Sequence, residues 1–271
     1  MNTTIAKNSA PVGFFDSGVG GVTVYSKFRE VLPSENCLYF GDTVHNPYGE
    51  KTVEELIGYA RSILDFFESK SVKAVVIACN TSSAVAYDVV KNDYDFKIYP
   101  IIQSCAKVVS QLPVKRLGVF ATRATIKSGA YEKEIKRYNL NIEIFPQSCP
   151  GWVSIVENKA QNDIESIKLI ESDMKQMLLN NPEKILLGCT HYPYLIDVLS
   201  QFAPRDLFID PAVYFVDYIH QDLQSLELLN LSDTIGTEEF FVSSDPMHFQ
   251  KSAGMFYELN ATPQLCIQEL V

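Results

Sequence analysis

The sequence predicts an α/β protein of two similar domains, each a mainly parallel sheet flanked by helices, with the active site in the cleft between them. Three observations predict it. Short β-branched or aromatic runs alternate with longer amphipathic segments, as in parallel strands joined by crossover helices. The pattern restarts partway: Arg116-Leu117-Gly118-Val119-Phe120 echoes Pro11-Val12-Gly13-Phe14-Phe15, and Gly13 to Cys79 spans nearly the distance of Gly118 to Cys189. Each half also places a cysteine where a buried apolar strand ends. Ligands in such sheets bind outside the carboxyl ends of the strands.

The elements follow in order. Val12 to Phe15 reads as a strand, then the glycine-rich turn Asp16-Ser17-Gly18-Val19-Gly20-Gly21 and a helix from about Val22. Leu38 to Phe40 is a second strand, followed by a helix over Thr52 to Phe67. Ala74 to Ala78 is a continuous run suited to a strand covered on both faces. Lys97 to Ile102 reads as a further strand. In the second half, Asn141 to Phe145 and Lys184 to Leu187 read as strands. A helix is expected over Ala160 to Leu179, with Ile164, Ile167, Ile170, Met174, Met177 and Leu178 on its apolar face. A strand after Asp206, a helix near Ala212 to Leu226 and a less regular tail complete the chain. The expected division is 11–104 with 209–271 as the first domain, 105–208 as the second, and 1–10 as a flexible tail.

Composition narrows the function. A chain of 271 residues with 46% hydrophobic content buries a substantial core and is not disordered. A formal net charge of −10 speaks against nucleic acid as a partner, because phosphate binding rests on Lys and Arg. No run of about 20 apolar residues predicts a membrane span, and Met1 to Ala10 lacks a signal-peptide core, so a cytoplasmic location is expected. The six cysteines include no C-x-x-C spacing. Neither a zinc site nor a redox pair is expected, and reduced thiols are.

The motifs carry chemistry. The turn from Asp16 to Gly21 lacks the phosphate-loop signatures, and a carboxylate there would repel phosphate. Its glycines and helix N–H groups suit a ligand bearing both an ammonium and a carboxylate. In the loop Pro47-Tyr48-Gly49, which also reads as an ordinary turn, Tyr48 and the backbone at Gly49 could donate to a carboxylate. Cys79 precedes Asn80-Thr81-Ser82, and Cys189 precedes Thr190. Both thiols are expected at helix starts, where the thiolate is favoured. Two thiols across one cleft suit proton transfer on both faces of a carbon, one removing a proton and the other delivering one. His191, two residues past Cys189, reads either as structural or as assisting that transfer. The segments Pro11–Ser26, Cys37–Glu50, Ala74–Val90 and Ile185–Pro204 contain no Lys or Arg. An anionic ligand would rest there on hydroxyls, amides and backbone N–H groups.

Taken together, several pieces resemble the glutamate racemases of the aspartate/glutamate racemase superfamily. They are Phe15 to Gly21, Gly41-Asp42-Thr43 with Pro47-Tyr48-Gly49, Ile77 to Thr81, Thr122 to Ser128, Cys149-Pro150 with Val156-Glu157, and Leu187 to Pro193. The resemblance implies cofactor-independent interconversion of L- and D-glutamate, supplying D-glutamate for peptidoglycan. It implies Cys79 acting on the D-enantiomer and Cys189 on the L-enantiomer, with Asp16, Glu157 and His191 assisting. It implies substrate contacts from Asp16, Ser17, Pro47, Tyr48, Gly49, Asn80, Thr81, Thr122, Thr125, Thr190 and His191. Homodimers occur among such relatives. His45, Trp152, Ser154 and Ser82-Ser83 stand where those relatives usually carry other residues.

The competing readings are an aspartate racemase of the same superfamily, a single-cysteine hydrolase and a non-catalytic amino-acid-binding module. A pyridoxal phosphate racemase is disfavoured, since no motif isolates a lysine for a Schiff base.

Overall fold

The structure, a computed structural model of the chain, describes residues 8–267. Two sheets organise it. The first has strand order β10-β9-β2-β1-β3-β4 and the second β6-β5-β7-β8. In the first, β1 (Val12–Asp16) lies between β2 (Cys37–Gly41) and β3 (Ala74–Ile77), with β4 (Lys97–Pro100) beyond β3. In the second, β5 (Arg116–Ala121) lies between β6 (Glu143–Ser148) and β7 (Lys184–Gly188), with β8 (Phe208–Ile209) beyond β7. The order β2-β1-β3-β4 is thus repeated as β6-β5-β7-β8. Every strand pairing is parallel. Registers such as Val12 opposite both Cys37 and Ala74 align the strand ends, so the loops that follow them gather at one edge.

Both central strands are buried throughout their apolar length, which explains why they read as unbroken hydrophobic runs rather than alternating ones. The helix Val53–Ser69 begins at a reciprocal cap: Thr52 Oγ1 accepts from Glu55 N, and Glu55 Oε2 accepts from Thr52 N. Its Leu56, Ile63, Leu64 and Phe67 pack on one face of the first sheet. The helices Val22–Val31 and Pro211–Ser225 contribute to the apolar cluster that covers the other face.

Several boundaries differ from expectation. Lys97 to Ile102 is not one strand: β4 stops at Pro100 and a helix runs from Ile101 to Val109. The strand expected over Asn141 to Phe145 is shifted to Glu143–Ser148. The long helix spans Ile164–Leu178, with Ile170, Met174 and Met177 buried, whereas Ile164 in its first turn is 71% exposed. Periodicity alone overextended that apolar face into a turn pointing at solvent.

The tail after Glu227 is structural. The strand β9 (Glu238–Val242) pairs with β2, and β10 (Gln264–Leu265) pairs with β9. Of the tail expected at 1–10, residues 1–7 lie outside the described residues. Asn8 and Ser9 are held by their carbonyls, which accept from Lys73 Nζ at 2.6 Å and Asn36 Nδ2 at 2.7 Å. Among the described residues, no helix is long and apolar enough to cross a membrane.

Candidate active site

The loops after β1, β2, β3, β5, β6 and β7 enclose a small cavity of about 80 Å³. Its wall includes Ser17, Pro47, Tyr48, Gly49, Cys79, Asn80, Thr81, Thr122, Cys189, Thr190 and His191. Of the other residues expected from the sequence, Asp16 and Thr125 lie buried just behind this wall, and Glu157 backs it through His191.

Cys79 follows β3 and Cys189 follows β7, the equivalent strands of the two sheets. Both are buried, and both line the cavity. Their surroundings differ. Cys79 itself caps the helix Asn80–Val85, its Sγ accepting from Ser82 N at 3.5 Å, so Asn80, Thr81 and Ser82 form the first turn instead of capping it. Burial nevertheless pushes its thiol up to about 12, helped by the charge of Asp16. The expectation of a favoured thiolate is overturned here, because desolvation exceeds what one short helix supplies. Cys189 is not followed directly by an α-helix. The chain makes a 3₁₀ turn, Tyr192–Leu195, and the neighbour of Cys189 Sγ is His191 Nδ1 at 3.8 Å.

His191 is tied on both sides. Its Nε2 lies 2.7 Å from Glu157 Oε1, which also accepts from Asn46 Nδ2 at 3.1 Å. Burial works against the charged imidazole. The hydrogen bonds to Cys189 and Glu157 outweigh it and hold His191 protonated well above its ordinary range. Burial would raise the Glu157 carboxyl, but its hydrogen bond to His191 leaves it below the ordinary value.

Asp16 ends β1 with no exposure to solvent. Burial raises its carboxyl to about 6, against the pull of His191 and of the N–H groups of Gly21 and Gly18. Its Oδ1 accepts from Gly18 N at 3.0 Å and its Oδ2 from Thr190 Oγ1 at 3.2 Å. The turn can come this close only because Gly20 has no side chain. A Cβ on Gly20 would stand 2.5 Å from both His191 Nδ1 and Thr190 Oγ1.

Three hydroxyls join the halves: Thr81 Oγ1 is 3.0 Å from Thr122 Oγ1 and 3.4 Å from Thr125 Oγ1, and Thr122 and Thr125 are 3.0 Å apart. Tyr48, expected to donate to a ligand carboxylate, donates instead to Asp42 Oδ2. Asp42 also accepts from Ser243 Oγ at 2.8 Å and lies 2.8 Å from His45 Nδ1. The sequence after Glu227 therefore braces the Pro47–Gly49 loop.

Sequence reasoning assigned no role to Asn46, Glu50, Arg123, Cys149, Gly151, Val153 or Tyr192, which also line the cavity. Cys149-Pro150-Gly151 follows β6, so its position at a strand end was the available signal. Arg123 shows that the wall is not free of cations, but Glu50 pairs with it at 3.1 Å. Among the described residues, no group of three or more His, Cys, Asp or Glu side chains is placed to hold a metal ion.

Two sheets that share a four-strand order and meet at one thiol-lined cavity define an α/β isomerase of the racemase type. The chain belongs to the Asp/Glu/Hydantoin racemase family, whose profile matches residues 20–219. It is 40% identical to the glutamate racemase of Trichormus variabilis over 90% of this chain and 83% of that one. It is 38% identical to the glutamate racemase of Thermoanaerobacter pseudethanolicus, over 92% of this chain and 93% of that one. Among solved structures, glutamate racemase from Francisella tularensis in complex with D-glutamate superposes with a TM-score of 0.89 at 30% identity, covering 96% of this chain and 98% of that one.

Proposed function

We propose that this chain interconverts L- and D-glutamate without a cofactor, by proton transfer at Cα between Cys79 and Cys189, and supplies D-glutamate for peptidoglycan in the cytoplasm. The observation that carries the reading is the pair of buried thiols on equivalent strand ends, both lining one cavity. The similarity to glutamate racemases over most of the chain supports the choice of substrate.

The raised thiol of Cys79 assigns its role. Cys79, held up at about 12, is a thiol at neutral pH and is the proton donor when L-glutamate is bound. Cys189 takes the Cα proton from the opposite face. Thiol becomes thiolate at one site and thiolate becomes thiol at the other, so charge is conserved as the stereocentre inverts. Exchange of one proton with solvent or between the sulfurs resets the pair. His191, hydrogen-bonded to Cys189 and anchored by Glu157, keeps a positive charge beside the thiol that changes state.

The experiment is circular dichroism of pure L- or D-glutamate incubated with the protein and no added cofactor, with deuterium uptake at Cα in heavy water read alongside. Loss of optical activity with one deuterium incorporated is expected. A constant signal from both enantiomers overturns the reading.

A further inference from the structure

We propose that Tyr131 is a positioning residue for the reaction, orienting the amide of Asn80 so that its Nδ2 donates to a carboxylate of the substrate. The inference rests on the glutamate reading above.

Asn80 directly follows Cys79 and lines the cavity, with 2% exposure. Its Oδ1 accepts from the hydroxyl of Tyr131 at 2.5 Å. Its Nδ2 is buried and has no hydrogen-bond partner. A buried amide donor without a partner is costly, and structures seldom keep one without a reason. An amide whose oxygen is turned toward Tyr131 points its N–H groups the other way. Released from Tyr131, the same amide could turn and face an incoming carboxylate with its oxygen, replacing a hydrogen bond by a repulsion.

Tyr131 suits this task. It sits on the helix Ala130–Lys136, part of the second half of the chain, and reaches across to a residue of the first. It is 4% exposed, and burial raises its hydroxyl well above the ordinary range, so it remains a donor at any physiological pH. Its ring needs space that one glycine provides. A Cβ on Gly188 would stand 2.7 Å from Tyr131 Cε2 and 2.9 Å from the carbonyl oxygen of Phe120. Gly188 immediately precedes Cys189. Tyr131 therefore packs against the strand end that presents one thiol while it fixes the residue that follows the other.

A double-mutant cycle tests this, with Tyr131→Phe, Asn80→Ala and the double variant assayed for racemisation of both enantiomers. Tyr131→Phe should raise KM about three- to tenfold, the worth of one net hydrogen bond, with a smaller fall in kcat. Asn80→Ala should raise KM at least as much, and adding Tyr131→Phe to it should change nothing further. Asn80→Asp keeps an oxygen for Tyr131 but replaces the donor by a second oxygen. It should raise KM even if Tyr131→Phe fails to fold. An unchanged KM in Tyr131→Phe or in Asn80→Asp, or penalties that multiply in the double variant, overturns the inference. Failure of the unsubstituted chain to racemise glutamate sinks the glutamate reading instead.

Discussion

His191 stands between Cys189 and Glu157, with Nδ1 3.8 Å from the sulfur and Nε2 2.7 Å from the carboxylate. The ring is thus fixed by an anion on one side while it addresses a thiol on the other. Glu157 is lowered and His191 is raised by the same contact, so the two shifts agree in direction.

Replacing Glu157 by Gln removes the anion that holds the imidazole charged. The His191 pKa should fall, and the basic limb of the rate profile should move to lower pH, with kcat reduced about tenfold or more. The pH dependence of kcat measures this. A basic limb that stays in place would separate His191 from the titration that controls turnover.

The two thiols should be individually indispensable. Cys79→Ser and Cys189→Ser are each expected to lose about 10²–10⁴-fold in racemisation, the usual contribution of a general acid or base. Polarimetry or circular dichroism reads the loss. A single-cysteine hydrolase would retain its reaction in one of the two variants, and a wild-type rate in either one ends the paired-thiol scheme.

Asp16 should leave a signature in stability. Its carboxyl is raised from 3.8 to about 6, so the folded state holds the proton more tightly than the unfolded state does. The stabilisation is complete below about pH 4 and is lost as pH rises through about 6, on the order of 3 kcal/mol. Asp16→Asn cannot ionise. Measured by urea denaturation at several pH values, its stability relative to the parent should therefore improve between pH 4 and 7. A difference that stays flat across that window would show that Asp16 does not titrate there.

Gly20→Ala tests the close approach of the first turn to the second strand end. The added methyl would meet His191 Nδ1 and Thr190 Oγ1 at 2.5 Å, so those side chains must shift. A displacement of that kind can cost about 10²-fold in kcat/KM. Steady-state kinetics and a thermal melt together distinguish the local effect from unfolding. Wild-type kcat/KM would show that the site tolerates the movement.

The fold was legible because the strands are buried on both faces. Ala74 to Ala78 and Lys184 to Leu187 read as strands without any alternation, and the echo between Gly13 and Gly118 marked two related halves, whose four-strand order the structure supplies. Helix ends were less legible. Ile101 and Ile102 are as apolar as the strand before them, and only the geometry at Pro100 separates strand from helix. Cys79, Cys189 and Asp16 could be found because strand-end position identifies them, whereas Thr122 and Thr125 came from the family resemblance. Asn46 and Tyr131 could not, since their importance lies in partners at Glu157 and Asn80, far away in the chain.

Sequence alone determined that two cysteines terminate equivalent strands, and that glycines, hydroxyls and amides surround them. The presence of these strands follows from hydrophobic patterning, which is local and readable. Tertiary structure decided the surroundings of the pair. Helix placement pointed toward thiolate at both sulfurs, yet burial beside Asp16 keeps Cys79 a thiol, while Cys189 meets His191 instead of an α-helix. Desolvation and charge depend on what surrounds a group in three dimensions, and no spacing along the chain records that.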